Sequence, residues 1–82
     1  MAEMIQQYVE KMVDPSGTSY DVFAYGERRP EGNWEGWIEF HSADGRVLRT
    51  ARETTQPNRA ALAYWASGLE PLYFEGAFAR AR

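Results

Sequence analysis

Few residues in this chain are of the types that carry chemistry. There is one histidine, His41, and no cysteine, so no thiolate can act as nucleophile or metal ligand. A lone histidine builds no zinc site without several carboxylates around it, and at a strand end beside a turn His41 reads as a surface residue. The glycines stand singly along the chain, with no loop able to cradle phosphate. The carboxylates are more suggestive, because a meander over residues 20–53 would set Glu27, Glu35 and Glu53 in one row across a sheet. Such a row can hold a hard cation, or raise one carboxyl's pKa for acid–base work. Catalytic carboxylates sit in pockets, however, and a row at a sheet end reads more simply as solvated surface relieved by Arg28 or Arg29. The sequence therefore points to no catalytic residue, metal ligand or cofactor, and the chain is not expected to be an enzyme.

Two other groups suggest binding. Phe23, Tyr25 and Trp37 fall on one strand face with Glu39 and Arg49 beside them, an aromatic strip with a charged rim. That is the make-up of an interface centre, where Trp, Tyr and Arg dominate the binding energy. The bland alternative is that another segment, such as the N-terminal stretch, covers this face and makes it ordinary core. On the opposite face Gly26 and Gly36 fall side by side, next to Arg52. This is a notch that could take a small anion or a partner's carboxylate, unless Arg52 simply lays its stem along the glycines.

These placements depend on a central hairpin. Trp34, Gly36, Ile38 and Phe40 alternate with Glu35, Trp37 and Glu39, the period-2 pattern of a half-buried strand. Pro30-Glu31-Gly32 and Ala43-Asp44-Gly45 each put glycine third in a three-residue loop, which suits a type I turn closed by a left-handed glycine. The register that follows sets Arg29 opposite Asn33 and Ser42 opposite Arg46. It aligns Val22, Phe40 and Leu48 on one face, with Ala24, Ile38 and Thr50 in the next row. On the other face it aligns Phe23, Glu39 and Arg49, where Glu39 and Arg49 make a favourable cross-strand pair. The strands expected are Tyr20 to Arg28, Trp34 to Phe40 and Val47 to Glu53.

The flanks are less regular. Ile5, Tyr8, Val9, Met12 and Val13 recur at helical spacing, predicting a short amphipathic helix over residues 1–13. Asp14-Pro15-Ser16-Gly17-Thr18-Ser19 reads as a linker after it. Pro57 and the alanine-rich run from Asn58 to Ala66 favour a helix ended by Gly68, although Leu62, Tyr64 and Ala66 also alternate as a strand would. Leu72 to Ala81 is favoured as a second helix, burying Phe74, Phe78 and Ala81. The expected fold class is α+β, an antiparallel meander of three to four strands. It is backed by a helical C-terminal segment, with residues 1–19 as an amphipathic segment and linker and residues 20–82 as the domain.

Eighty-two residues make one domain, burying only roughly 60–65% of its unfolded surface. The net charge of −3 argues against a general attraction to nucleic acid. No run reaches the length of a membrane span, and Glu3, Gln6, Gln7 and Glu10 interrupt any signal-peptide core. The runs Trp34-Glu35-Gly36-Trp37-Ile38-Glu39-Phe40, Glu53 to Arg59 and Tyr64 to Pro71 resemble a small uncharacterised family of bacterial proteins over residues 20–82. The resemblance brings no activity and no functional residue, and implies a bacterial, cytoplasmic protein. The function expected is a small protein-interaction module, meeting a protein partner or a second copy through the aromatic face. The alternative is an anion- or ligand-binding regulatory domain built on the Arg52 notch.

Overall fold

Three loops of one design turn the first half of the chain into a meander. The computed structural model describes residues 1–82. It opens with strands β1 (Glu3–Val13), β2 (Ser19–Arg28), β3 (Trp34–Ser42) and β4 (Val47–Arg49). Between them, Asp14, Arg29 and Ser42 each donate their N–H to the carbonyl four residues on, at 3.0, 2.7 and 2.9 Å. Each also accepts from the loop glycine, at 2.9, 2.9 and 3.1 Å. Those glycines, Gly17, Gly32 and Gly45, have φ of +88°, +101° and +88°, a region open to glycine at no steric cost. The two hairpins read from the sequence are confirmed, and residues 14–18 are a third rather than a linker.

The N-terminal segment is accordingly a strand, not a helix. β1 pairs antiparallel with β2 at the edge of the sheet, and its register shifts twice, between Met4 and Gln6 and between Gln7 and Lys11. Each shift inserts extra residues opposite β2 and resets which side chains face inward. Ile5, Tyr8 and Met12 pack on the core, three and then four residues apart, which is the spacing of a helical stripe. Val9 and Val13, which that stripe also included, are exposed. The bulges have a second consequence: they roughen an eleven-residue edge strand that would otherwise offer a regular template for pairing.

The middle of the sheet follows the expected register. Val22, Phe40 and Leu48 share a row, as do Phe23, Glu39 and Arg49, while Ala24 pairs with Ile38, Tyr25 with Trp37, and Gly26 with Gly36. The expected strand over residues 47–53 is instead two short ones, β4 and β5 (Thr54–Gln56), both pairing with β3. Thr50 causes the break. Its N–H donates to the Ile38 carbonyl at 3.0 Å, but the Ile38 N–H is received by Thr50 Oγ1, at 3.1 Å. A side chain replaces a backbone acceptor, and the chain leaves the ladder. It rejoins two residues late, so that Thr55 rather than Glu53 lies opposite Glu35.

Two helices cover one face of the sheet. In α1 (Arg59–Ser67) the Asn58 side chain accepts from the Ala61 N–H at 2.8 Å as N-cap, and Gly68 ends the helix. α2 (Pro71–Arg80) starts on proline, whose missing N–H costs nothing in a first turn. Ala66 from α1, and Phe74 and Ala77 from α2, are buried against the sheet residues Tyr20, Val22, Ala24, Ile38 and Phe40, while Leu62 of α1 is buried over Gly26 and Gly36. Tyr8 ties β1 to both helices: its hydroxyl donates to the Ala66 carbonyl at 2.7 Å, and its ring lies 4.4 Å from that of Phe74. Phe78 sits between Tyr20 and Phe40. Helical turning puts Tyr64 and Leu72 in solvent, which settles the helix-or-strand alternatives for both segments.

Glu53, displaced from the sheet row, accepts from the Tyr73 hydroxyl and the Arg80 guanidinium, both at 2.5 Å. Burial, and then the hydrogen bond to this carboxylate, push the Tyr73 phenol up to about 12 from 10.0. A raised folded-state value means stability that is intact below the unfolded value and lost as the pH climbs from there toward the folded one. The urea midpoint should therefore fall between about pH 10 and about pH 12, and Tyr73→Phe should remove part of that fall. An equal drop in the variant would exclude Tyr73 as a source.

Candidate functional site

The face of the sheet opposite the helices is covered only by its own side chains. Trp37, Glu39 and His41 project from it because they are alternate residues of β3. The Trp37 indole N–H donates to Glu39 Oε2 at 2.7 Å, and His41 Nε2 lies 2.8 Å from Glu39 Oε1. Glu39 is only 8% exposed, a costly place for a carboxylate unless its oxygens are bonded. Here both are.

The aromatic groups lock onto this centre. The Phe23 ring lies 4.8 Å from that of His41 and 6.2 Å from that of Tyr25, and Tyr25 stacks on His41 with 13° between planes. The Arg49 guanidinium sits 4.6 Å above the Trp37 ring, a favourable cation–π distance. Arg49 and Glu39 are register partners as expected, but Arg49 lies on the indole, and Glu39 bonds to its own strand neighbours. Phe23, Tyr25, Trp37, Glu39 and Arg49 are thus brought together. His41, read from the sequence as a bystander at the surface, is half-buried among them. Its signal was the spacing 37, 39, 41, which puts three residues able to hydrogen-bond on one face. Met4, paired with Tyr25 on the same face, was hidden by the helical reading of β1.

At one end of the face Glu27 and Glu35 do lie opposite each other. Arg29 reaches both, at 3.6 and 3.9 Å, and Arg52 reaches Glu35 at 3.7 Å. The Met1 ammonium, through its hydrogen bond and its charge, holds the Glu27 carboxyl below the usual range, with Arg29 and Arg49 adding to it. Without Glu53 the row is a compensated pair rather than a three-carboxylate site.

The glycine notch is not open either. Leu62 fills it, so closely that a Cβ on Gly36 would come within 2.6 Å of its Cδ1, and Gly26 meets the same side chain. Arg52, largely exposed, turns to Glu35 instead of lying over the glycines. Gly26, Gly36 and Arg52 therefore form no anion site, because a leucine of α1 occupies the space. A shallow depression at the elbow between the helices, lined by Gly68, Leu69, Glu70, Leu72 and Tyr73, holds a single carboxylate, and the Tyr73 hydroxyl is already engaged by Glu53.

No helix is long and apolar enough to cross a membrane. No family model, curated protein or solved structure matches the chain. The geometry of the uncovered face therefore carries the functional reading by itself.

Proposed function

We propose that this chain is a non-enzymatic protein-interaction module that docks a protein partner on the uncovered face of its sheet. One observation carries the proposal: the aromatic strip of Phe23, Tyr25 and Trp37 lies on the face that neither helix covers, and its rings are held in place by Glu39, His41 and Arg49. Rings fixed before binding lose little entropy on docking, which is what makes aromatic anchors effective. A protein suits this face better than nucleic acid, because a chain of net charge −3 exerts no general attraction on a phosphate backbone. A cytoplasmic site of action is part of the same proposal and rests on the cysteine-free composition.

Trp37 is a poor choice for testing the face, because it is only 5% exposed and supports Glu39. Tyr25 and Met4 are better, being more exposed and outside the helix-packed core. Tyr25→Glu and Met4→Glu should leave the circular dichroism spectrum and melting cooperativity intact. Both should abolish association, read as solution mass by light scattering and as capture of native-host protein on the immobilised chain. Folded variants that associate as the wild type does would overturn the proposal.

A further inference from the structure

The chain's ion pairs leave an uneven remainder. Lys11, Arg29, Arg46, Arg52, Arg59 and Arg80 each have a carboxylate within 4.0 Å, whereas Arg28, Arg49 and Arg82 have none. Arg28 lies in the row with Trp34, at the far end of the β2–β3 hairpin. Arg49 and Arg82 are neighbours. They exchange both backbone hydrogen bonds, at 3.2 and 3.0 Å, and residues paired in this way carry their side chains on the same face. Ala81 packs on the helix-covered core, so Arg82, one residue further on, is turned to the uncovered face.

Arg49 has no partner for a structural reason. Glu39, its cross-strand neighbour, is engaged at both oxygens, and the guanidinium rests on the Trp37 ring instead. A guanidinium stacked on an indole keeps its N–H edge outward, in the fork geometry that takes a carboxylate by two parallel hydrogen bonds. In a protein of net charge −3, two adjacent guanidinium groups with no side-chain carboxylate in contact, beside an aromatic strip, are complementary to an acidic group of a partner.

We propose that Arg49 and Arg82 receive a carboxylate from the docked protein, so that the partner presents an acidic segment. One Glu or Asp lies over the Trp37 edge, and an apolar neighbour covers Tyr25 and Phe23. The proposal rests on the reading of the uncovered face as an interaction surface, and names the chemistry of what binds there. The site is two neighbouring guanidinium groups, which favours a segment with a few placed carboxylates over a long polyanion.

The test uses the full ¹⁵N-labelled chain and an end-capped Glu-Gly-Phe-Glu-Gly peptide, with Gln-Gly-Phe-Gln-Gly as its neutral counterpart. The acidic peptide should shift the Trp37 indole N–H, the Arg49 Nε–H and the Arg82 amide, while the neutral peptide leaves them in place. Affinity should fall as salt is raised, and should fall roughly tenfold or more in Arg49→Gln and in Arg82→Gln, the loss expected for one charged hydrogen-bonded contact. Both residues are exposed, so the variants should fold, and circular dichroism is the check. No shift at millimolar peptide overturns the proposal. So do equal shifts by the neutral peptide, shifts that survive both substitutions, or tighter binding of a single-stranded oligonucleotide to the same residues. If the peptide fails while Tyr25→Glu still abolishes association, the face is an interface and only the acidic partner is excluded.

Discussion

Phe74→Ala should cost the domain roughly 3–5 kcal/mol, the usual loss for emptying a phenylalanine site in a core. The ring is 1% exposed and touches both Tyr8 and Tyr73, so it joins α2 to the edge strand. Little around it can collapse to refill the space, because Tyr8 is held from its other end by the hydrogen bond to the Ala66 carbonyl. A domain of this length has a total stability of only about 5–15 kcal/mol. The melting temperature should therefore drop by on the order of 20 °C, since each kcal/mol shifts it by about 4–8 °C. Leu72→Ala is the internal control. It lies two residues away on the same helix and is 78% exposed, so it should stay within about 0.5 kcal/mol of wild type. Chemical denaturation of the two variants measures the contrast. Similar losses would mean that α2 is not seated as described.

The contrast between Leu72 and Phe74 also shows where the sequence was readable. Both positions fit a buried strand, and only turning by 100° per residue separates them; Pro71 at the front and Arg80 at the back of the segment were the local signals that favoured a helix. The β2–β3–β4 register was legible because two loops with glycine in third position fix it, and because a slip of one residue would bury Glu39 against the helices. The N-terminal strand was misread for a physical reason. Two bulges convert a period of two into spacings of three and four, so Ile5, Tyr8 and Met12 look helical. The corrective signal was present in Asp14-Pro15-Ser16-Gly17-Thr18, which matches Arg29-Pro30-Glu31-Gly32-Asn33 in its proline and glycine positions and closes by the same hydrogen bonds.

The aromatic face was legible from alternation alone, since Phe23, Tyr25 and Trp37 needed only the register. The partners of its charged groups were not, because alternation places a residue on a face without saying which neighbour it bonds. Glu39 chose Trp37 and His41 along its own strand over Arg49 across the sheet. That choice leaves the Arg49 guanidinium on the Trp37 ring. The displacement of Glu53 was equally invisible, because it depends on the Thr50 hydroxyl replacing one backbone carbonyl.

Gly36→Ala should destabilise the protein, although a glycine-to-alanine change in a strand interior ordinarily gains roughly 0.5–1 kcal/mol. The sign reverses because the new methyl would stand 2.6 Å from Leu62 Cδ1 and 3.0 Å from Thr54 Cγ2. Overpacking of this kind costs about 1–3 kcal/mol. Leu62 is 1% exposed and lies over both glycines, so Leu62→Ala should itself cost about 2–5 kcal/mol through the cavity it leaves. The two losses should not add. With Leu62 shortened, the alanine at position 36 has room, and the second substitution should be neutral or stabilising. The double-mutant cycle should then show coupling of roughly 1–3 kcal/mol. Urea denaturation of the four proteins measures it, and additivity within about 0.3–0.5 kcal/mol would mean that Leu62 does not fill the space above the paired glycines. Coupling of the expected sign would show that the glycines are there to seat α1 on the sheet. That seating commits the helices to this face and leaves the aromatic one open.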